Sequence, residues 1–450
     1  MTKKGLFVTP DGKNVLFTFI LVSSLFLLWG FCNGMIDVMD KHFQNELHLT
    51  LAQSANVQWA HYLGYCLMAL PAGWLAIRLG YKGGIIAGLL VVAVGGLWFI
   101  PATHIASFWA FLLGVFLIAS GLTFLETIAN PYTTVLGDPK YGPMRINLAQ
   151  SCNGVGWIFG PIAGSMFFYS TNAAGQSTGA QTLYIPYVAV AGLVIVLAVV
   201  FYFANVPDIK TEDDYHLDDA TPGVSHSIWK HPYFVLAVAA QFFYVAAQAG
   251  IFSFFINYMT SQVPPIPGTW NSGFMKGLFS TGPDGLLHIS DAGASTLASV
   301  GFICFLLGRV SGAALLKKFA AHKVLGLYGV LNVLICFLIF SKLGWLSVLC
   351  VFLSYFFMSI MFPTIFALGI FGLGVRAKRA SGYIVMAIMG GAILPKLMGH
   401  VADKYDISRG FIVPLFCFAF VAFYAFGWRR FSQGNRMKQP GAALETAEKA

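Results

Sequence analysis

Residues 121–137 read GLTFLETIANPYTTVLG and set one carboxylate, Glu126, in the middle of an apolar run over about 107–135. A carboxylate facing lipid at that depth costs roughly 2.5 kcal/mol or more. Glu126 is therefore expected to face the interior of a helix bundle or a wet cavity, where it can hold a proton, a cation or a ligand hydroxyl. Thr123, Thr127, Asn130 and Thr134 lie around it at helical spacing, several on the same face. Pro131 lacks an N–H and frees a carbonyl one turn earlier, as in transporter helices that line a cavity. The bland alternative is a buried acid bonded to a neighbouring helix for packing alone.

The surrounding composition sets the class. Of 450 residues, 57% are hydrophobic and only 10% charged, against about 25% charged in a soluble domain. This describes an all-α, many-times-spanning membrane protein. The first apolar run, over about 14–37, is too long for a signal-peptide core and has no small-x-small cleavage site, so it is expected to stay as the first span. The seven cysteines are odd in number and all sit in apolar runs, which fits buried thiols. There is no G-x4-G-K-[ST] motif, so no nucleotide is expected to supply energy. Ten scattered histidines show no ligand spacing, so neither a metal site nor an enzyme's catalytic cluster is expected. The tail past 431 is too short for a sensor's signalling domain. No cofactor is expected; the energy source is a proton gradient, with sodium as the alternative.

Windows of about 20 apolar residues mark twelve helical spans. They lie near 15–38, 54–77, 84–103, 107–135, 145–170, 184–205, 233–260, 291–316, 323–341, 344–372, 380–403 and 410–430. Most Lys and Arg residues fall on the face that holds both termini and the loops after the even-numbered spans up to span 10. The opposite face has Lys41, Lys276, Lys342, Lys404 and Arg409. The positive-inside rule then puts both termini in the cytoplasm of a cell whose inner (plasma) membrane holds the chain. In this setting the net charge of +9 speaks of lipid and orientation, with no nucleic-acid partner.

An acidic, Pro/Gly-punctuated segment, VPDIKTEDDYHLDDATPGVSHSIWK over 206–230, divides the spans into two sets of six. The expected organisation is 1–205 and 233–430 as two halves, 206–232 as a cytoplasmic linker and 431–450 as a cytoplasmic tail. The halves repeat one another. Span 4 has Pro131-x4-Leu136-Gly137 and span 10 has Pro363-x4-Leu368-Gly369; span 5 has Arg145, Gly156 and Pro161, and span 11 has Arg379, Gly390 and Pro395 at the same spacings. Two pseudo-symmetric halves imply a central cavity between them, with the substrate at the midplane. A second insertion, 261–291, is rich in Pro, Gly and Ser and is expected to form a loose cap outside the cell.

Polar residues inside the spans carry the chemistry. Apart from Glu126, only the acid Asp37 reads as lying within a span, with Asn33 one turn before it and Gly34 permitting a close approach. Its plain alternative is a solvated acid at the outer mouth beside Asp40 and Lys41. Burial favours the protonated form of a carboxyl, which lets one acid titrate with the medium while another reads the substrate. Asn147, Gln150 and Asn153 form one amide stripe in span 5, and Gln241, Tyr244 and Gln248 another in span 7. Amides both donate and accept, which suits a neutral, polyhydroxylated ligand; one amide per helix would suffice for packing. Trp59, Phe254 and Phe255 are among the aromatics able to stack on a sugar ring. His61 in span 2 is either a relay or a hydrogen-bonded structural residue. Lys396, two turns inside span 11, is expected to face the cavity rather than snorkel outward.

The pieces LETIANPYTTVLG, RINLAQSCNG, QFFYVAAQAG, FAAHKVL and MSIMFPTIFALGI resemble the fucose–hexose:proton symporter family of the major facilitator superfamily, from about Phe26 to Trp428. Gly73-Trp-Leu-Ala-Ile-Arg78-Leu-Gly80 is similar to the superfamily's G-x-x-x-D-R-x-G motif, with Ile77 in place of the acid. The resemblance implies that Asp37 and Glu126 serve sugar binding and proton coupling and that Asn33, Gln150 and Asn153 contact the sugar. Asn130, Gln241, Tyr244 and Gln248 complete the expected site, with Phe362 where the family's fucose carriers have a tyrosine. Phe362 and Gly34 both depart from the fucose pattern and leave glucose, galactose or another hexose open. The expected function is proton-coupled uptake of a neutral monosaccharide by a monomer. The rivals are sodium coupling, an uncoupled facilitator or an exporter of the same fold.

Overall fold

A chain this apolar must satisfy its backbone within each segment, and helices do so. The computed structural model of the protein describes residues 7–8, 14–136, 142–169, 182–206, 228–268, 278–282, 284–316, 319–371 and 377–436. Among the described residues the helices make twelve crossings, six before the 206–232 segment and six after it. In the first half they are Leu16–Leu47 (span 1), the two arms of Asn56–Ile105 (spans 2 and 3), Phe108–Val135 (span 4), Gly142–Phe167 (span 5) and Tyr184–Phe203 (span 6). Gly80, at φ 70°, makes the reversal between spans 2 and 3, a conformation only glycine adopts cheaply. In the second half they are Pro232–Ser253 with Phe255–Gln262 (span 7), Asp291–Leu316 (span 8) and Ala321–Phe340 (span 9). Trp345–Met358 with Met361–Ile370 forms span 10, Ala377–Met386 with Gly390–Lys404 span 11, and Ile407–Gly410 with Ile412–Arg436 span 12.

Among the described residues, ten stretches are apolar and long enough to cross a membrane. The other two crossings, 56–79 and Gly142–Phe167, are helical and include side chains outside the described residues.

The repeat read in the sequence has a packing cause. A Cβ at Gly156 in span 5 would overlap the Leu27 carbonyl of span 1, and a Cβ at its counterpart Gly390 in span 11 would overlap the Phe242 carbonyl of span 7. Span 1 adds Gly30 and Gly34, whose added Cβ atoms would meet the backbone of Asn153 and Trp157. Backbone-to-backbone contact of this kind replaces the hydrophobic effect, which is absent between helices in lipid.

Among the described residues, hydrogen bonds between the halves gather toward one end, that of the 261–291 insertion. Leu51 and Ala52 N–H groups donate to the Asp403 carboxylate at 2.7 and 2.8 Å. Asn45 donates to Asp291, Asn257 to Gln44, and Ser295 and Ser299 to the carbonyls of Pro161 and Ile158, both at 2.7 Å. The described part of the insertion carries regular structure rather than a loose chain. Phe279–Thr281 (β1) and Leu287–Ile289 (β2) form an antiparallel hairpin. Beside it His288 bonds Asp284 at 2.9 Å, and that bond, with the Leu286 N–H, holds the Asp284 carboxyl below its usual range. Residues 269–277, the linker over 207–227 and the tail from 437 lie outside the described residues.

Candidate functional site

Span 4 presents Glu126 half-buried, and among the described residues it makes no hydrogen bond or ion pair. It lies within electrostatic reach of Tyr62 and Tyr65 of span 2, and Tyr65 accepts a hydrogen bond from Trp29 at 2.6 Å. The hydroxyl of Thr123 is spent on the Ala119 carbonyl and leaves the acid unaided. One turn along, Asn130 accepts from Gln150 Nε2 at 3.0 Å, so the amide stripe of span 5 meets the face of Glu126. Asn153, buried, donates to the Phe26 carbonyl at 3.3 Å and ties the stripe to span 1. The side chains of Pro131, Thr134 and Asn147 lie outside the described residues.

Span 1 brings Asn33 and Asp37 to the same interior. Both are buried; Asn33 Oδ1 has no partner, and Asp37 Oδ1 accepts from Gln58 Nε2 at 2.9 Å. The span also runs nine residues further than its apolar core suggests. Asp40, which figured in the sequence only as a neighbour in the solvated-mouth alternative for Asp37, is fully buried, with neither carboxylate oxygen partnered. The signal was its i, i+3 spacing from Asp37, which fixes a shared face once the helix is known to continue.

The second half answers with neutral donors and acceptors. Gln241 is fully buried and both of its amide atoms lack a partner. Tyr244 donates to the Met358 carbonyl at 3.1 Å, and its ring meets Phe362 edge-on at 6.4 Å. Gln248 is half-buried on the same helix. Pro363 cannot donate to the Ser359 carbonyl; Arg309 Nε does so instead at 3.3 Å, with its guanidinium over Phe305. Tyr244 and Arg309 therefore satisfy carbonyls exposed where span 10 breaks. Phe254 and Phe255 are packed in the core and Trp59 is exposed.

Two accessory residues fall differently. His61 is buried between the rings of Tyr62 and Tyr65, each 5.0 Å away, and its Nδ1 has no partner. Lys396 is not in the cavity. Its side chain is exposed and donates to Asn56 Oδ1 at 3.2 Å, at the insertion end, because the long stem carries the ammonium to water. Ile77's side chain is outside the described residues, while Arg78 lies 4.0 Å over the Trp74 ring.

The Major Facilitator Superfamily model matches residues 16–283. A glucose/galactose transporter of Brucella abortus is 32% identical over 417 residues, covering 92% of this chain and 95% of the relative. The L-fucose-proton symporter of Escherichia coli is 32% identical over 436 residues, covering 92% and 94%. A solved structure of the fucose:proton symporter in its outward conformation matches with a TM-score of 0.65 at 32% identity, covering 92% of this chain and 99% of that one. A D-xylose-proton symporter structure matches with a TM-score of 0.69 at 12% identity, which speaks for the fold alone.

Proposed function

The chain belongs to the Major Facilitator Superfamily, and on that footing we propose that it is a secondary active transporter that takes up a neutral monosaccharide together with a proton. The observation that carries the reading is Glu126: a half-buried carboxylate inside a span, with no ion pair among the described residues, one turn from the bond between Asn130 and Gln150. An unpaired charge there is costly, so the group alternates between a protonated form that crosses with the substrate and an ionised form that meets water. Similarity to transporters of glucose, galactose and L-fucose supports a hexose or deoxyhexose.

Asn33, Asp37, Asn130, Gln150 and Asn153 from the first half, with Gln241, Tyr244 and Gln248 from the second, form the sugar-facing set in this reading. Phe362 supplies an apolar face for the ring. Glu126 carries the proton, and Asp37 links the sugar to the first half. The moving bodies are 1–205 and 233–430, joined by the linker 206–232, with 431–450 as a tail. With the basic end and both termini in the cytoplasm, the bonds between Asp403 and residues 51–52 close the outer side, and the working unit is a monomer.

The test is proton influx into vesicles bearing the protein as glucose, galactose, L-fucose and other hexoses are added one at a time. A sugar that drives alkalinisation of the medium supports the reading. Uptake indifferent to a protonophore would make the protein a facilitator.

A further inference from the structure

The motif FAAHKVL, which the transport site leaves unused, opens span 9 at the end opposite the 261–291 insertion. There the start of span 9 and the ends of spans 10 and 12 enclose a cavity of about 560 Å³. Its back wall is Trp428, which three groups hold in place. The indole Nε1–H donates to the Leu368 carbonyl of span 10 at 3.1 Å. His322 lies nearly parallel to the indole with ring centroids 5.6 Å apart, and Phe371 meets it edge-on at 5.5 Å.

The rim is basic. Lys323 and Arg429 line the cavity, both exposed and neither in an ion pair among the described residues, and no acid lines it among them. His322 brings a ring that can donate. Ala320, at the cap of span 9, has no side-chain oxygen for the first amides of that helix, which lie at the same rim. Cations with no counter-charge repel one another and attract an anion. The cavity also runs into an apolar surface. From Lys323 the exposed residues Leu327, Val330 and Leu334 follow at i+4, i+7 and i+11 along one face of span 9. On span 12, Phe426 and Phe423 are exposed one and two turns from Arg429, and a Cβ at Gly326 would overlap the Phe426 ring, so the two faces meet.

We propose that this cavity binds an anionic phospholipid. Lys323, Arg429, His322 and the first amides of span 9 hold its phosphate, and its acyl chains lie along spans 9 and 12. Basic pockets between helices at a membrane surface suit such headgroups. Arg429 offers a planar fork to two phosphate oxygens, and Lys323 a mobile point charge. A soluble phosphate ester would use the rim alone; an acyl chain also covers Leu327 and Phe426. The acidic linker over 206–232, on the same side of the membrane, has the charge but no apolar run for that surface. The lipid bridges three helices of the second half and so stabilises them. The proposal depends on neither the sugar nor the proton role of Glu126.

The test uses the purified full-length protein in a neutral detergent, freed of lipid, with native mass spectrometry and melting temperature as readouts. The probes are phosphatidylglycerol, phosphatidylcholine with the same chains, and glycerophosphate. Phosphatidylglycerol is expected to bind saturably and raise the melting temperature, with phosphatidylcholine about tenfold weaker. Lys323→Ala combined with Arg429→Ala should weaken phosphatidylglycerol by about tenfold or more. Both side chains are exposed, so the lipid-free double variant should melt as the parent does. Lys230→Ala removes an exposed charge at the same end but outside the cavity and should change nothing. Equal binding of the two lipids, unaltered affinity in the double variant, or an equal loss in Lys230→Ala overturns the proposal. Stabilisation by glycerophosphate at the same concentrations overturns it in favour of a soluble phosphate ester. Phosphatidylglycerol binding that emerges only when the acids of the linker are changed to amides overturns it in favour of the linker.

Discussion

The two halves share a plan and differ in how their helices are built. In the first, spans 1, 4 and 5 run unbroken and carry every acid of the interior: Asp37, Asp40 and Glu126. In the second, span 7 breaks at Phe254, span 10 at Ser359–Ile360, and span 11 passes through a 3₁₀ turn at Ala387–Met389. No acid lies within the middle of those helices; Gln241, Tyr244 and Gln248 stand on span 7 instead, and Arg309 of the neighbouring span 8 reaches the break in span 10. A continuous helix keeps its carbonyls occupied and can hold costly carboxylates in fixed positions. A broken one exposes carbonyls that side chains must satisfy, and Tyr244 and Arg309 do so. The difference points to a rigid half that handles ions and a compliant half that reads hydroxyls.

The most forceful way to break that contrast is to exchange charge for polarity in each half. Glu126→Gln is expected to reduce sugar accumulation to about the level of simple equilibration while exchange of internal for external sugar persists. Gln241→Leu, in the other half, is expected to keep accumulation and weaken apparent sugar affinity about tenfold. It should not lower the melting temperature, because it removes two unpartnered buried atoms. Uptake of labelled sugar with and without a gradient reads both. Loss of coupling in Gln241→Leu, or its survival in Glu126→Gln, would erase the division.

A smaller effect separates the two equivalent glycines. Gly156 abuts Leu27 between two unbroken helices, whereas Gly390 abuts Phe242 next to the 3₁₀ turn. Gly156→Ala should cost about 1–3 kcal/mol of overpacking strain. Gly390→Ala should cost less, since the neighbouring turn can rearrange. Thermal unfolding of the two variants compares them directly, and equal losses would mean that the breaks confer no compliance.

Much of this contrast was already visible in the chain. Twelve apolar windows, the paired glycines of spans 5 and 11, and Pro363 in span 10 follow from local rules of length, size and missing N–H groups. The amide contact between Asn130 and Gln150 was legible only in part, as Asn130 on the face of Glu126 and Gln150 in the stripe of span 5. Asp40 was not, because hydropathy falls off over DVMDKHFQ although the helix continues to Leu47, and Ser253 from the distant half lies against it. The break at Phe254 carries no proline or glycine. Lys396 was misplaced because a long side chain can leave the depth of its backbone.

Asp403 offers the finest test, because it joins the two kinds of half. It sits at the end of the broken span 11 and caps the amide groups of Leu51 and Ala52, which open the short helix Leu51–Ser54 of the other half. Thr50 and Gln53 cap the same turn from within, so the carboxylate is not needed to form it; it fastens it to the opposite half. Asp403→Asn keeps one acceptor and loses the charge, and a cap of this kind is worth about 1 kcal/mol. Hydrogen exchange at Leu51 and Ala52 is expected to quicken about fivefold, with span 1 itself unchanged. Lys396→Leu, which removes one exposed bond to Asn56, should leave exchange and transport nearly as they were. If instead Lys396→Leu opens the outer side as readily as Asp403→Asn, the closure rests on summed surface contacts, and the compliant half has no particular point of attachment to the rigid one.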